Sequence, residues 1–456
     1  MISTTSTKKP NLQYFWAIVL LVIGFSILLK LPTFNLPHHE GDEVRLWYLA
    51  KNWATTGHYT LQGSPLFEIF PHYEPYYAHR KMPVHPPLFP ALLRPFVQYE
   101  FTQYEKIPQA ADIATIEAIY TRIAPRYAVI ASWIGHLLAI LAVALIARYL
   151  LLYHKLSLSA LSPLFWLPLL GIATDPIMTW ASTKIWIDNL HAGLAALSVA
   201  LAMMASSSRH SQMMYFLSGI LLGLALLSKI TAAIIIPVLI FIIFVHETDS
   251  KTRIQALLWC SMPALVLSLL WYIPRYLPQL MVEKIPVGKI LENPSIPNKY
   301  RGLCEFCGAA STRPFYYFLV KLPLISPLII IGISFYITLF FAYVRKLALR
   351  DNLRFFIPVI WFLFVLSAVT LYLSFYGTFI MRRITLLIPS LYVMFYMLII
   401  YSEKIRRLRK YQPLLLFLGS LSIVYGAISG GFYLFLGNKY AEFFSLTELA
   451  GIVKLW

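Results

Sequence analysis

The sequence predicts an all-α polytopic transmembrane bundle of about eleven spans, with a large extracytoplasmic first loop that carries interfacial helices. Three observations predict it. Hydrophobic residues make up 59% of the 456-residue chain and charged residues 13%, with a mean hydropathy of +0.68, which excludes a string of soluble domains. The apolar residues fall in runs long enough to approach or cover a hydrocarbon core of roughly 30 Å. The basic residues that give the net charge of +18 sit in short clusters between those runs, where they set membrane orientation and exclude a nucleic-acid-binding surface.

Lys8 and Lys9 precede the first apolar run, Tyr14 to Leu31, which is longer than a signal-peptide core and lacks a small-residue cleavage site, so it is read as the first span. A polar segment from Pro32 to Ala124 follows, containing two amphipathic pieces, Glu43 to Thr56 and Leu88 to Val97, expected to lie along the membrane surface. Apolar runs then recur at Arg126 to Tyr153, Ala160 to Thr174, Asn189 to Ala205, Met213 to Ser228, Ile230 to Val245 and Ala256 to Ile273. After a second polar segment, Pro274 to Pro314, come Pro323 to Val344, Phe355 to Phe375, Ile384 to Tyr401 and Pro413 to Leu436. The short hinge at Ser228-Lys229-Ile230 predicts an antiparallel helix pair. Residues 1–456 are read as a single integral membrane unit in which 32–124 is the catalytic loop, 274–314 a second extracytoplasmic loop and 437–456 a short tail.

Under the eleven-span count, the clusters Lys8/Lys9, Arg148/Lys155, Arg209, Lys251/Arg253, Arg345/Lys346/Arg350/Arg354 and Lys404/Arg406/Arg407/Arg409/Lys410 share one side. That side holds sixteen basic residues against the four acids Glu247, Asp249, Asp351 and Glu403, so the positive-inside rule makes it cytoplasmic. Both long loops are then external. Cys304 and Cys307 fall in the second of them, where a small disulfide is expected in preference to a redox or metal motif, and Cys260 reads as an inert buried thiol.

Charged residues at the outer ends of the spans carry the chemistry, because each is costly to place against a membrane. Asp42 and Glu43 open a helical segment, and Arg45 follows Asp42 by three residues on the same face. Asp188 heads the fourth span, Lys229 occupies the turn before the sixth, and Arg382 and Arg383 precede the tenth. Each also has a plainer reading: the acids as helix-start residues and the lysine as an interfacial snorkeller. An arginine pair on the outer face runs against the positive-inside trend and favours anion binding. Together they provide acids able to activate a hydroxyl and cations able to hold a phosphate, as transfer from a lipid phosphate requires. His38, His39, His72 and His79 match no closed zinc ligand set.

The order of an acid pair after the first span, His85-Pro86-Pro87-Leu88, Asp188, Leu226-Leu227-Ser228-Lys229, and Arg382-Arg383-Ile384-Thr385-Leu386-Leu387-Ile388-Pro389 resembles the GT-C superfamily of polyprenyl-phosphate-dependent glycosyltransferases. It looks nearest to the branch of protein O-mannosyltransferases and lipid A aminoarabinose transferase. The resemblance implies an inverting enzyme of the bacterial inner membrane, with its active site extracytoplasmic, that moves a sugar from a polyprenyl-phosphate donor to a hydroxyl of a lipid, polysaccharide or protein. Asp42 then matches the first-loop aspartate that serves as catalytic base or its organiser, with Glu43 as its usual neighbour, and Asp188 matches the second-loop acid. Arg45, His85, Lys229 and Arg382 or Arg383 match positions facing the donor phosphate, although an isoleucine stands after the arginines where the family has an aromatic. A divalent cation shared by Asp42 and a histidine such as His39 is left open, since loop acids alone do not establish a metal site. The implied partners are the donor lipid and the membrane. These residues are expected to line one cavity, with Tyr76, Tyr77 or Trp186 near its rim. A lipid-linked glycan flippase or transporter is the rival class, but its charges belong near the midplane and often in inverted repeats, and no repeat is visible.

Overall fold

The computed structural model describes residues 12–35, 41–63, 85–104, 126–154, 163–206, 208–282, 349–376, 384–404 and 409–436. All regular structure among them is helical: α1 (Leu12–Lys30), α2 (Gly41–Thr56), α3 (Leu88–Tyr104), α4 (Ile130–Tyr153), α5 (Leu167–Ala173), α6 (Pro176–Ser182), α7 (Asp188–Ala205), α8 (Ser211–Ser228), α9 (Ile236–His246), α10 (Ser250–Val282), α11 (Leu349–Tyr376), α12 (Ile388–Lys404) and α13 (Gln412–Leu436), with short 3-10 turns between some of them. Six helical segments among the described residues are long and apolar enough to cross a membrane, and four more are shorter but apolar. The expected span Pro323 to Val344, the cysteines 304 and 307, and the tail from 437 lie outside the described residues.

The packing grades from a dry centre to an apolar perimeter. α7 is buried along nearly its whole length against α4, α8 and α12, whereas α1, α10 and α13 turn Leu20, Leu21, Leu28, Leu258, Met262, Leu270, Phe417 and Leu421 outward. An apolar belt of this kind is unstable in water and natural in hydrocarbon. α4 and α7 approach until their backbones touch: a Cβ at Gly135 would overlap the backbone of Asn189 and Leu190, and one at Gly193 would overlap the Gly135 carbonyl. Close approach of small residues is how helices associate where no hydrophobic force separates helix from lipid. Ser198 and Ser218 add a reciprocal clasp between α7 and α8, each hydroxyl donating to the other's carbonyl at 2.8 Å. Gly135→Val is expected to force α4 and α7 apart and to cost at least about 1–3 kcal/mol, the ordinary price of overpacking, because the obstacle is backbone that cannot rotate away. Thermal unfolding in detergent checks it, and an unchanged midpoint contradicts the contact.

Two local departures from the sequence reading have simple causes. Among its described residues, the run Ala160 to Thr174 contributes a 3-10 turn at Pro163–Trp166 and the short α5. The chain then breaks at Asp175-Pro176, where the aspartate carboxylate caps α6 by accepting from Ile177 N–H and Met178 N–H, both at 3.0 Å, and proline opens the helix. Tyr392 of α12 donates to the other carboxylate oxygen at 2.9 Å, so the break is built in. α10, in turn, runs on through Pro274 and Pro278 to Val282, into the segment expected to be loop; each proline removes one backbone donor, and the helix tolerates it near its end.

Polar contacts gather at the two ends of the bundle. At one, Tyr215 at the start of α8 donates to Glu247 after α9 at 2.8 Å, and Arg253 donates to the Glu247 carbonyl at 3.0 Å. The meeting of the start of α8 with the end of α9 makes that pair antiparallel, as the Ser228-Lys229-Ile230 hinge predicts. Lys229 itself is extended, with φ −155° and ψ 127°, between α8 and a 3-10 turn. The opposite end holds the site.

Candidate active site

The centre of this end is an ion pair between residues 41 positions apart. Lys229 Nζ donates to Asp188 Oδ1 at 2.7 Å, the aspartate side chain 2% exposed and the lysine 25%. Asp188 occupies the first turn of α7, one residue past the N-cap Ile187, and its carboxylate accepts from the lysine, so the N-cap reading fails here. The snorkelling reading of Lys229 fails likewise, since the ammonium turns to a buried acid. The exposed quarter of the lysine leaves the pair one open side.

Three further segments converge on Asp188. Thr385, two residues after Arg383, donates its hydroxyl to the Asp188 carbonyl at 3.1 Å and brings the start of α12 to the pair. Asn189 is tied to α6, its amide donating to the Met178 carbonyl at 2.9 Å and to Ser182 Oγ at 2.8 Å. The turn between α6 and α7 is gripped by α4, where Ser132 Oγ lies 2.7 and 2.9 Å from the carbonyls of Lys184 and Trp186 and accepts Trp186 N–H at 3.0 Å. Trp133 Nε1 donates to the Ser182 carbonyl at 3.0 Å, and His136 Nε2 lies 2.7 Å from the Ile172 carbonyl.

Described parts of the first loop, 41–63 and 85–104, reach the same end. Glu43, 1% exposed in the first turn of α2, accepts the Ile185 N–H at 2.8 Å, which seats α2 on the α6–α7 turn. α2 packs along α3, and Tyr59, just after α2, donates its hydroxyl to the carbonyls of His85 at 3.0 Å and Pro86 at 3.2 Å, just before α3. The Tyr59 ring stands edge-on to Trp271 of α10 at 5.4 Å, and the neighbouring Tyr272 donates to the Leu226 carbonyl, three residues before Lys229, at 2.9 Å. Tyr59 thereby links the His85 backbone to α10, which in turn bonds the last turn of α8.

Of the residues the sequence singles out, Glu43, His85, Asp188 and Lys229 gather at this end, with Arg45 half-buried on α2. Asp42 lies in the first turn of α2, its side chain outside the described residues, as are Arg382, Arg383, His39, Tyr76 and Tyr77. Trp186 is not a rim residue: it is buried, edge-on to Trp180 at 4.9 Å, because Ser132 draws its backbone inward. The sequence reading missed His191, one turn along α7 on the same face as Asp188 and close enough to interact with the charges of both Asp188 and Lys229. Its Nδ1 is buried and, among the described residues, has no partner, and the same holds for Ser228 Oγ beside Lys229. A histidine inside an apolar run was the available signal. No group of three or more His, Cys, Asp or Glu side chains suited to a metal occurs among the described residues.

No family model and no curated protein matches the chain by sequence. Its fold, however, has solved relatives. ArnT from Cupriavidus metallidurans bound to undecaprenyl phosphate superposes with a TM-score of 0.52 at 13% identity, over 93% of this chain and 78% of that one. The archaeal oligosaccharyltransferase AglB from Archaeoglobus fulgidus, in complex with an inhibitory peptide and a dolichol-phosphate, superposes at 0.55 and 13% identity over 92% of this chain. The chain shares its fold with these structures. The chain spans 56% of the length of AglB, both in that complex and in the apo form of the Archaeoglobus oligosaccharyltransferase, which superposes at 0.51. At such identities the likeness lies in the path of the chain, and the residues must argue their own chemistry.

Proposed function

We propose that the protein is an inverting membrane glycosyltransferase that moves a sugar from a polyprenyl-phosphate donor to an acceptor hydroxyl. The observation that carries this reading is the Asp188–Lys229 pair, on which α7, the α8 hinge and the start of α12 converge beneath the first loop, in a fold shared with a structure bound to undecaprenyl phosphate and one bound to dolichol-phosphate. An acceptor hydroxyl has a pKa far above neutrality, so a carboxylate must take its proton as the new bond forms; Asp42 is assigned that role. The oxygen–C1 bond of the product forms as the C1–O bond to phosphate breaks, and the electron pair leaves with the lipid phosphate. Arg45, His85, Lys229 and Arg382 or Arg383 hold the charge that develops there, more strongly in the transition state than in the ground state. A divalent cation at Asp42 and His39 would serve the same charge, and no step here depends on it.

The eleven-span topology puts this end of the bundle on the outer face of a bacterial inner membrane, because the basic clusters gather on the other side. Labelling single cysteines placed in 283–314 and near Arg406 checks it: the first is expected to react only from outside, the second only from inside, and the reverse pattern refutes the orientation. The activity itself is tested by incubating purified protein with a panel of radiolabelled polyprenyl-phosphate sugars and following label into glycolipid, polysaccharide and glycoprotein fractions. Transfer from at least one donor is expected. A well-folded protein that turns over none of them points to a lipid-linked glycan flippase.

A further inference from the structure

Glu43 stands beside the assigned base and invites the same role, but its geometry is that of a fastener. Its side chain is 1% exposed, and Oε1 accepts the Ile185 N–H at 2.8 Å across 142 residues of sequence. The segment it holds is braced from several sides: Ser132 Oγ bonds the Lys184 carbonyl and the Trp186 N–H, Trp133 and Asn189 hold Ser182 at its start, and Asp188 just after it is held by Lys229 and Thr385. A backbone N–H aimed at a buried carboxylate uses an acceptor oxygen and demands no proton transfer.

We infer that Glu43 is a positioning residue: it latches the first turn of α2, which carries Asp42, to the α6–α7 turn, which carries Asp188, and so fixes the first-loop acid relative to the donor-phosphate end. The inference rests on the proposed function for its catalytic consequence, though the latch itself does not. A residue that acts by holding geometry is rescued by any side chain that keeps the acceptor, whereas a proton carrier or metal ligand is not. Glutamine keeps the acceptor oxygen at the same reach. Misplacing a catalytic group by about 1 Å costs on the order of 100-fold in rate.

The experiment compares E43Q and E43A in the full-length protein, by amide hydrogen exchange of the 183–187 segment and by transfer from whichever panel donor the wild type uses. In E43A the Ile185 amide is expected to exchange at least about tenfold faster, and kcat to fall about 100-fold with KM for the donor within about threefold. E43Q is expected to stay within about fivefold of wild type in both readouts. Equal losses of turnover in E43Q and E43A would show that the carboxylate's charge or proton is used, and an Ile185 amide indifferent to E43A would show that there is no latch; either overturns the inference. If E43A does not fold, a folded but inactive E43Q overturns it and an active E43Q upholds it. A wild type that transfers nothing fails the proposed function instead, and the exchange measurement still decides the latch.

Discussion

Asp42→Asn is expected to lower kcat for glycosyl transfer at least about a thousandfold while the protein stays folded. Asparagine matches aspartate in shape but cannot accept a proton from the attacking hydroxyl, so the reaction must proceed with the proton still in place. The structural cost is small by comparison. Asp42 lies in the first turn of α2, where a carboxylate gains roughly 0.3–1 kcal/mol from the helix dipole, and the neighbouring Glu43 retains its bond to Ile185. Thermal unfolding within a few degrees of wild type, together with steady-state rates, separates the two effects. Near-normal turnover by this variant would mean that another group is the base.

Lys229→Met is expected to have two effects that a second substitution separates. It removes an ion-pair partner of a carboxylate that is 2% exposed, so the protein loses stability; with a quarter of the lysine in contact with solvent, about 1–3 kcal/mol is expected, below the 3–5 kcal/mol of a wholly buried pair. On the proposed function it also removes a cation that faces the donor phosphate, so affinity for undecaprenyl phosphate is expected to fall by about tenfold or more. Adding Asp188→Asn neutralises the stranded acid. The double variant is expected to recover most of the stability and none of the lipid affinity. Recovery of both would reduce Lys229 to a structural counter-ion, and loss of neither in the single variant would mean that the pair contributes nothing measurable.

Much of the fold is legible from composition alone, because a run of apolar residues bounded by charge has few alternatives to a membrane helix. α1, α4, α7, α8, α12 and α13 begin and end within a few residues of their apolar runs. The exceptions arise where a local motif overrides composition, as Asp175-Pro176 does in starting α6 and ending the traverse begun by α5. Asp188 and Lys229 could be picked out singly, since each is a charge at the edge of an apolar run, and a shared cavity was expected of them; their direct ion pair could not be read, because nothing in the local sequence encodes a contact across 41 residues. Glu43 was visible as an acid beside Asp42, yet the direction of its carboxylate depends on a backbone N–H 142 residues away. Ser132 and Asn189 were invisible for a different reason: a serine or asparagine in a span is common, and only its partners distinguish a brace from a bystander.

The central claim, that the donor phosphate binds at the Asp188–Lys229 end beneath the first loop, is tested most directly by photocross-linking. Purified protein is irradiated with an undecaprenyl phosphate analogue that carries a diazirine on the first isoprene unit, and the labelled peptides are sequenced by mass spectrometry. Labels are predicted in the segments around His85 to Leu88, the start of α7 and Ser228 to Ile230, and are predicted to be lost in Lys229→Met. Labels at the opposite end, around Tyr149, Tyr215 and Glu247, or spread evenly over the lipid-facing sides of α1, α10 and α13, would contradict the account.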